Sequence, residues 1–516
     1  MGSQVQVLPG PPWGFSSAGR APALQAGGHR FDPDKLHHRK EISHESGFSF
    51  VRGLVMKFIN WEKNKSFYIK ALMIALPLML QQVITASVNL VDNLMVGQLG
   101  DAAIAGVAAA NRFYMIATFA IFGIEGASNT FMAQYFGAKD SEHVKQSYRF
   151  SLLASYIIVT PFVLLGLFFP EQILSIFTKD VDVVRLGSQY LRAVVLSYSF
   201  IALSLPTGNG MRALGETKIP MYASIVAIVT NAFFNYIFIF GHLGFQPMGV
   251  IGAAYGTLIA RFVEMVLLLV ILKVKPFMFS TKLKDIFHIS RKLVKIMIIK
   301  AIPLTTNEIL WSSGMSALFM FYATRGKEVM AGMSISGSMG DLFFTLFSGM
   351  AVATTVLISQ PLGANKLDEA KENAYNLVRL SSMLAILMGI LLFLTTMFVP
   401  QLFNVSEYSR QTAVNYSRIQ ALMFWIYMLS AQAFFILRAG GDTRSTMIMD
   451  SVFMWCVNIP VVAFTAYFTK LDVIGMFLAG NATDLVKVFI AYHYLRKEKW
   501  LKNLTHSHEE SVPLEL

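Results

Sequence analysis

Along most of this chain the polar residues fall into short clusters, and between them lie apolar stretches of twenty or more positions. These read as 71–96, 102–124, 147–169, 188–210, 219–241, 248–272, 296–322, 330–358, 375–399, 413–437, 445–468 and 473–495. A helix needs about 20 apolar residues to cross a hydrocarbon core of about 30 Å, so each stretch is long enough to span. The ten-residue alternating segments that build a transmembrane β-barrel do not appear. The pattern therefore predicts an all-α polytopic membrane protein with twelve transmembrane helices. An even number of spans puts both termini on one side of the bilayer.

Composition agrees: of 516 residues, 54% are hydrophobic and 14% charged, too apolar for a soluble chain of this length. The net charge of +12 does not point to nucleic acid, because the Lys and Arg sit between spans rather than along one soluble face. Lys57, Lys63, Lys65 and Lys70 precede the first span, Lys273 to Lys300 carry a basic central loop, and Arg496, Lys497, Lys499 and Lys502 follow the last. Such segments stay in the cytoplasm, so both termini are expected there. The single cysteine, Cys456, excludes an intrachain disulfide. The chain divides into an extension (1–55), a six-helix lobe (56–272), a basic cytoplasmic linker (273–295), a second six-helix lobe (296–495) and a polar cytoplasmic tail (496–516). Residues 16–28 of the extension resemble the conceptual translation of a transfer-RNA gene, which predicts a true start at Met56; a disordered regulatory tail is the competing reading.

The two lobes are an internal repeat. A displacement of 226 residues carries Pro77 onto Pro303, Ala105-Gly106 onto Ala331-Gly332, Gly123 onto Gly349, and Gln134 with Gly137-Ala138 onto Gln360 with Gly363-Ala364. It also carries Arg192 onto Arg418, and Arg212-Ala213, Gly215 and Thr217 onto Arg438-Ala439, Gly441 and Thr443. Six spans per half give both halves the same orientation, related by an axis along the membrane normal, with a cleft between them suited to alternating access.

A charge at bilayer depth costs at least about 2.5–3.5 kcal/mol, so each one needs a reason. Asp92 lies in the first span fifteen residues after Pro77, about 22 Å along a continuous helix. Proline removes a stiffening hydrogen bond, so a titratable group and a bending point share one helix; Asp92 as a simple cap near the outer interface is the alternative. Asn231 and Asn235 are four apart and share a helical face. With Asp92 they offer the oxygen ligands a hard cation prefers, or a proton site with polar neighbours, although such amides also join helices. Glu308, five residues after Pro303, takes the repeat position of Gln82. It could meet a cationic substrate or a coupling proton, or hydrogen-bond another helix. Asp341 is a second acidic cleft residue. Glu308, Asp341 and Gln82 are thus the candidates for substrate or proton contact, and Pro77 and Pro303 the candidate hinges. Glu125, Glu264 and Asp450 are further intramembrane acids, while Asp484 is expected to pair with Lys487 one turn away. The 28 Met and 13% aromatic residues would suit a promiscuous pocket for lipophilic cations, but lipid-facing and packed helices use the same residues. The tail run His506-Ser507-His508-Glu509-Glu510 reads as solvated rather than metal-binding. No phosphate-cradling loop of the nucleotide-binding type occurs, and no nucleophile–base arrangement suggests an enzyme.

The segments Val91-Asp92-Asn93-Leu94-Met95-Val96-Gly97 and Gly210-Met211-Arg212-Ala213-Leu214-Gly215-Glu216-Thr217-Lys218-Ile219-Pro220-Met221 resemble signatures of the multidrug and toxic compound extrusion (MATE) family, in its bacterial NorM-like branch. Asn231 to Gly241, continuing into Met248 to Ala254, does so too, and the likeness runs over about residues 56–500. The resemblance implies a V-shaped pair of six-helix lobes that exports small organic cations by antiport with Na+ or H+. By motif, Asp92 matches the family's first-helix acidic residue, Asn231 and Asn235 its fifth-helix partners, and Pro77 its first-helix proline. Departures exist: some members carry aspartate at the position of Asn235, and some an acidic residue near Tyr427. Glu308 matches the family's seventh-helix glutamate only approximately. The resemblance further implies a monomer in a bacterial inner membrane, with no cofactor beyond the coupling ion, no metal beyond Na+ at the trio, and the lipid bilayer as partner. A lipid-linked precursor flippase of the same superfamily and a non-transporting receptor or scaffold are the rival readings.

Overall fold

The computed structural model describes residues 61–505, apart from Asn404; the extension 1–55 and the run His506 to Glu510 lie outside the described residues. Within that range the chain is helical throughout its spans. Helices α1 (Trp61–Gly97), α2 (Asp101–Gly137) and α3 (Ser141–Phe168) are followed by the short α4 (Pro170–Phe177) and by α5 (Val181–Val194) with α6 (Ser197–Ala213). Helices α7 (Lys218–Phe240) and α8 (Val250–Val274) complete the first lobe. The second lobe comprises α9 (Arg291–Ala323), α10 (Glu328–Gly363), α11 (Leu367–Thr395), α12 (Glu407–Ala439), α13 (Thr443–Phe468) and α14 (Val473–Arg496). Aspartates punctuate the chain: Asp140, Asp180 and Asp472 each accept a backbone N–H in the first turn of the helix that follows them, satisfying donors that have no partner within the helix.

Among the described residues nine helices are long and apolar enough to cross a bilayer, or ten with α5 and α6 counted as one span bent by 50°. The two remaining expected spans are α8 and α9, of 25 and 33 residues. Both are long enough to cross at about 1.5 Å per residue; α8 carries Arg261 and Glu264 in its middle, and α9 begins with Arg291, Lys292 and Lys295 and carries Asn307 and Glu308 further along. Large apolar side chains such as Ile157 (71% exposed) and Phe464 (58% exposed) lie bare on the outer surface. That is the arrangement expected where lipid, not water, is the solvent. Helices α1 and α9 run unbroken through Pro77 and Pro303. The irregular backbone lies elsewhere, in π-helical segments Thr355–Ser359 of α10 and Ile448–Val452 and Met454–Asn458 of α13.

The repeat positions found in the sequence form the seam between the lobes. Gln134 Nε2 donates to the Ala439 carbonyl at 3.4 Å, and its equivalent, Gln360, donates to the Ala213 carbonyl at 2.9 Å. A Cβ on Gly137 would lie 1.9 Å from the Gln360 carbonyl oxygen, and one on Gly363 would lie 1.8 Å from that of Gln134, so both positions need glycine for backbone contact. Deeper in the seam, Gly123 abuts Thr305 and Gly349 abuts Ala75 and Met79. Each proline thus sits where its helix touches the opposite lobe. Among the described residues every hydrogen bond that crosses between the lobes lies toward the end where the basic segments lie, including Asn64 to Asn376 at 3.2 Å and Thr130 to the Arg438 carbonyl at 3.1 Å.

Two segments expected as polar connections are instead docked. In the linker, Phe279 is fully buried against Tyr148, with ring centroids 4.7 Å apart, while Arg149 donates to Thr281 at 2.8 Å and to the His288 carbonyl at 2.8 Å. After α14 the chain returns into the seam. Trp500 and Leu504 are buried, Leu504 N–H donates to Gln134 Oε1 at 2.7 Å, and Asn503 Nδ2 donates to the Gly363 carbonyl at 3.3 Å. The described part of the tail thus holds both lobes together at that end. Its apolar Trp500 and Leu504, set among polar neighbours, are the reason it does not stay in solvent.

Candidate functional site

The first lobe encloses a cavity of about 600 Å³ lined by α1, α2, α5, α6, α7 and α8. Asp92 faces it from α1, and Asn231 and Asn235 face it from α7, one turn apart. Asn235 Nδ2 donates to Asp92 Oδ1 at 3.0 Å. With its amide oriented by the surrounding network, Asn231 donates to Asp92 Oδ2 at 2.6 Å and accepts from Thr257 N–H at 3.2 Å. Each carboxylate oxygen therefore receives one neutral donor, and Asp92 has no ion pair among the described residues. Gly256 on α8 makes room for this: a Cβ there would stand 2.0 Å from Asn235 Oδ1. Tyr114, Tyr190 and Tyr198 line the aromatic side of the cavity.

A second polar system, not anticipated as a unit, runs along the same wall. Glu125 accepts from Ser151 at 2.5 Å, Ser155 at 3.1 Å and Asn209 at 3.2 Å. Asn209 accepts from Arg212 at 2.9 Å, and Arg212 reaches Gln81 at 3.3 Å. Gln81 donates to Ser224 at 3.0 Å, Ser224 to Glu264 at 2.7 Å, and Arg261 closes the chain on Glu264 at 2.9 Å. A continuous chain of hydrogen bonds thus joins α2, α6, α1, α7 and α8. The signal for it was present in the sequence as isolated polar residues, Gln81, Asn209 and Ser224, in otherwise apolar spans; nothing in the linear order shows that they meet. The chain also alters the expected charge of the cleft, because Arg212 and Arg261 balance Glu264 and Asp92 on the cavity wall.

Of the other candidates, the two acids, Glu308 and Asp341, do not share the trio's cavity. Gln82 lines the cavity. Glu308 lies across in the second lobe, where its charged neighbours are Arg438 and Asp450. Asp341 is exposed on α10. The expected pairing of Asp484 with Lys487 is not formed: Lys487 Nζ donates to Asp450 Oδ1 at 2.6 Å instead, because α13 brings a carboxylate within reach that spacing along one helix cannot reveal. The displacement of 226 puts Leu318, Val457 and Val461 at the positions of Asp92, Asn231 and Asn235, so the trio belongs to one lobe alone. Among the described residues no three His, Cys, Asp or Glu gather into a metal site. One carboxylate with two amides suits a monovalent cation or a proton better than a divalent ion, whose binding calls for more anionic ligands.

Two repeated six-helix lobes, a polar cavity inside one of them and a seam closed at one end define an integral membrane protein of the transporter class. The chain belongs to the MatE family: its profile matches residues 77–237 and again 303–464, once per lobe. Over 439 residues it is 25% identical to the probable multidrug resistance protein YoeA of Bacillus subtilis strain 168, covering 83% of this chain and 94% of that one. It is 24% identical over 445 residues to the probable multidrug resistance protein NorM of Halalkalibacterium halodurans, covering 85% and 94%. A crystal structure of MATE in complex with MaL6 superposes with a TM-score of 0.77 at 19% identity, over 84% of this chain and 96% of that one. The family is one of multidrug efflux transporters, not of enzymes.

Proposed function

We propose that this protein exports small organic cations from a bacterial cell by antiport, Na+ or H+ entering at Asp92, Asn231 and Asn235. The observation that carries the reading is Asp92 itself, a carboxylate facing a cavity of about 600 Å³ and held only by neutral amides. Such a group can gain one positive charge without breaking an ion pair. A proton would replace one amide donor bond, whereas Na+ would require the amides to turn their oxygens inward. The lining tyrosines supply ring faces for a cationic cargo.

In this reading the basic end is cytoplasmic, both termini lie there, and the seam is the closed cytoplasmic gate of a monomer. Helix α1 joins the two events: Asp92 lies toward one end, and Ala75 and Met79, on either side of Pro77, meet Gly349 at the seam. Bending at Pro77, with Pro303 as its counterpart beside Gly123, would transmit ion binding to the gate. Transport follows only where ion and cargo favour opposite states.

The test is efflux of a fluorescent lipophilic cation from proteoliposomes under an imposed Na+ gradient, an imposed proton gradient, or none. Acceleration by one gradient identifies the coupling ion. Equal rates in all three reject antiport, and movement of a lipid-linked pyrophosphate instead would favour the flippase reading.

A further inference from the structure

The 226-residue displacement extends into the polar interior. It carries Gln81 onto Asn307 and Ser224 onto Asp450; in the last helix of each lobe the displacement is 223, carrying Val250-Ile251-Gly252 onto Val473-Ile474-Gly475, Arg261 onto Asp484 and Glu264 onto Lys487. Both lobes bond the equivalent positions in turn, Gln81 to Ser224 to Glu264 and Asn307 to Asp450 to Lys487. In the first lobe the cation of the tie, Arg261, is matched by Glu264 on its own helix. In the second lobe the signs are exchanged, Asp484 standing for Arg261 and Lys487 for Glu264, and a carboxylate, Asp450, stands for Ser224. Lys487 therefore reaches across to Asp450 Oδ1, whose Oδ2 accepts from Asn307 at 3.2 Å. Asp450 lies in the π-helical segment Ile448–Val452, a distortion that recurs at functional sites.

This arrangement leaves Asp484 over. It lies one turn before Lys487 on α14, yet among the described residues it makes neither a hydrogen bond nor an ion pair. The titratable groups facing it are Lys487 on its own helix, Asp450 from α13, Tyr322 from α9 and Tyr427 from α12. The Tyr427 hydroxyl is itself committed to Asn481. Glu308 and Arg438 complete the group beyond Asp450. With Glu125, which also faces Arg438, four carboxylates stand against two cations inside membrane spans, where an uncompensated carboxylate is disfavoured. The amide oxygen one turn before it, on Asn481, is committed to Tyr427, and among the described residues no three His, Cys, Asp or Glu gather into a metal site.

We propose that Asp484 is a second proton-binding site, in the C-terminal lobe, kept neutral while Lys487 is engaged by Asp450. Uptake forms one O–H bond on Asp484 and breaks one O–H bond of the hydronium ion that delivers the proton, which leaves as water. The proton's use in transport rests on the antiport reading, but the protonation itself does not.

Infrared spectroscopy of the full-length protein in lipid tests this through the carbonyl stretch of protonated carboxyl groups at neutral pH. Asp484→Asn should lose one carboxyl's intensity from that band, and Lys487→Met should gain one, as Asp450 loses its ammonium. Asp92→Asn leaves the Asp484 component in place. A band unchanged by Asp484→Asn overturns the proposal. If that variant does not fold, Asp484→Glu decides, because the longer acid must shift the component, and an unshifted band overturns it equally. Loss of gradient-driven efflux in the wild type would count against antiport while leaving this band as predicted.

Discussion

The Gln134 side chain should control how tightly the basic end closes. It is fully buried and holds three partners: the Ala439 carbonyl at 3.4 Å, the Lys502 carbonyl at 3.3 Å and the Leu504 N–H at 2.7 Å. In Gln134→Ala the Ala439 carbonyl keeps Ser359, at 2.8 Å. The Lys502 carbonyl and the Leu504 N–H lose this partner, and each lost hydrogen bond costs about 1 kcal/mol net. Once the end opens, water can reach both groups, so the cost falls on the closed state. A shift of about 2 kcal/mol would change the closed-to-open ratio roughly 30-fold. Gln360→Ala is the internal comparison, since its side chain makes a single bond, to the Ala213 carbonyl; a net loss of about 1 kcal/mol is expected there. Spin labels at the exposed positions Ser141 and Asp368, in a Cys456→Ser background, report the separation of the lobes at this end. The account expects a longer-distance population in Gln134→Ala that exceeds the one in Gln360→Ala. Identical distributions for the two variants would refute the idea that the tail reinforces one side of a symmetric seam.

Gly363→Val should oppose closure outright, because its Cβ would meet the Gln134 carbonyl at 1.8 Å and that backbone cannot move aside; the same labels should show the open distance, and a closed distribution would contradict the seam. Gly256→Ala should displace Asn235 and weaken cation binding about tenfold or more, as loss of a supporting contact does at other ion sites, measured by ion-dependent quenching of protein fluorescence and compared with Asn235→Ala. Arg261→Ala strips the ion-pair partner from buried Glu264, which keeps Ser224, and should cost about 1–3 kcal/mol; melting temperature checks this, and adding Glu264→Gln should recover much of the loss.

The spans were legible because each must satisfy one requirement, enough apolar length to cross a bilayer, and that is written locally. The bend between Val194 and Ser197 and the π-helical turns of α10 and α13 were not, since they arise from packing between helices. The repeat was legible at Gln134, Gly137, Ala213 and their partners for a physical reason: Gln134 meets Ala439 and Gly363 across the seam as Gln360 meets Ala213 and Gly137, so both halves face the same geometric demand. The trio Asp92, Asn231 and Asn235 was readable from helical spacing and family resemblance, and the structure brings its side chains together. The chain from Glu125 to Arg261 was not readable as a unit, because its members come from five helices and touch only after folding. Lys487 shows the limit of spacing arguments most plainly: the neighbour one turn away was visible, whereas the competitor on α13 was not.

Asp92→Asn replaces the carboxylate with a neutral group of the same shape, so it removes the site for positive charge while keeping hydrogen-bonding capacity toward α7. The decisive measurement compares this variant with the wild type in proteoliposomes, following gradient-driven efflux of a fluorescent cation and, separately, exchange of labelled for unlabelled cargo without any ion gradient. The account predicts that Asp92→Asn abolishes the gradient-driven component and retains exchange. Undiminished gradient-driven efflux in Asp92→Asn would contradict it.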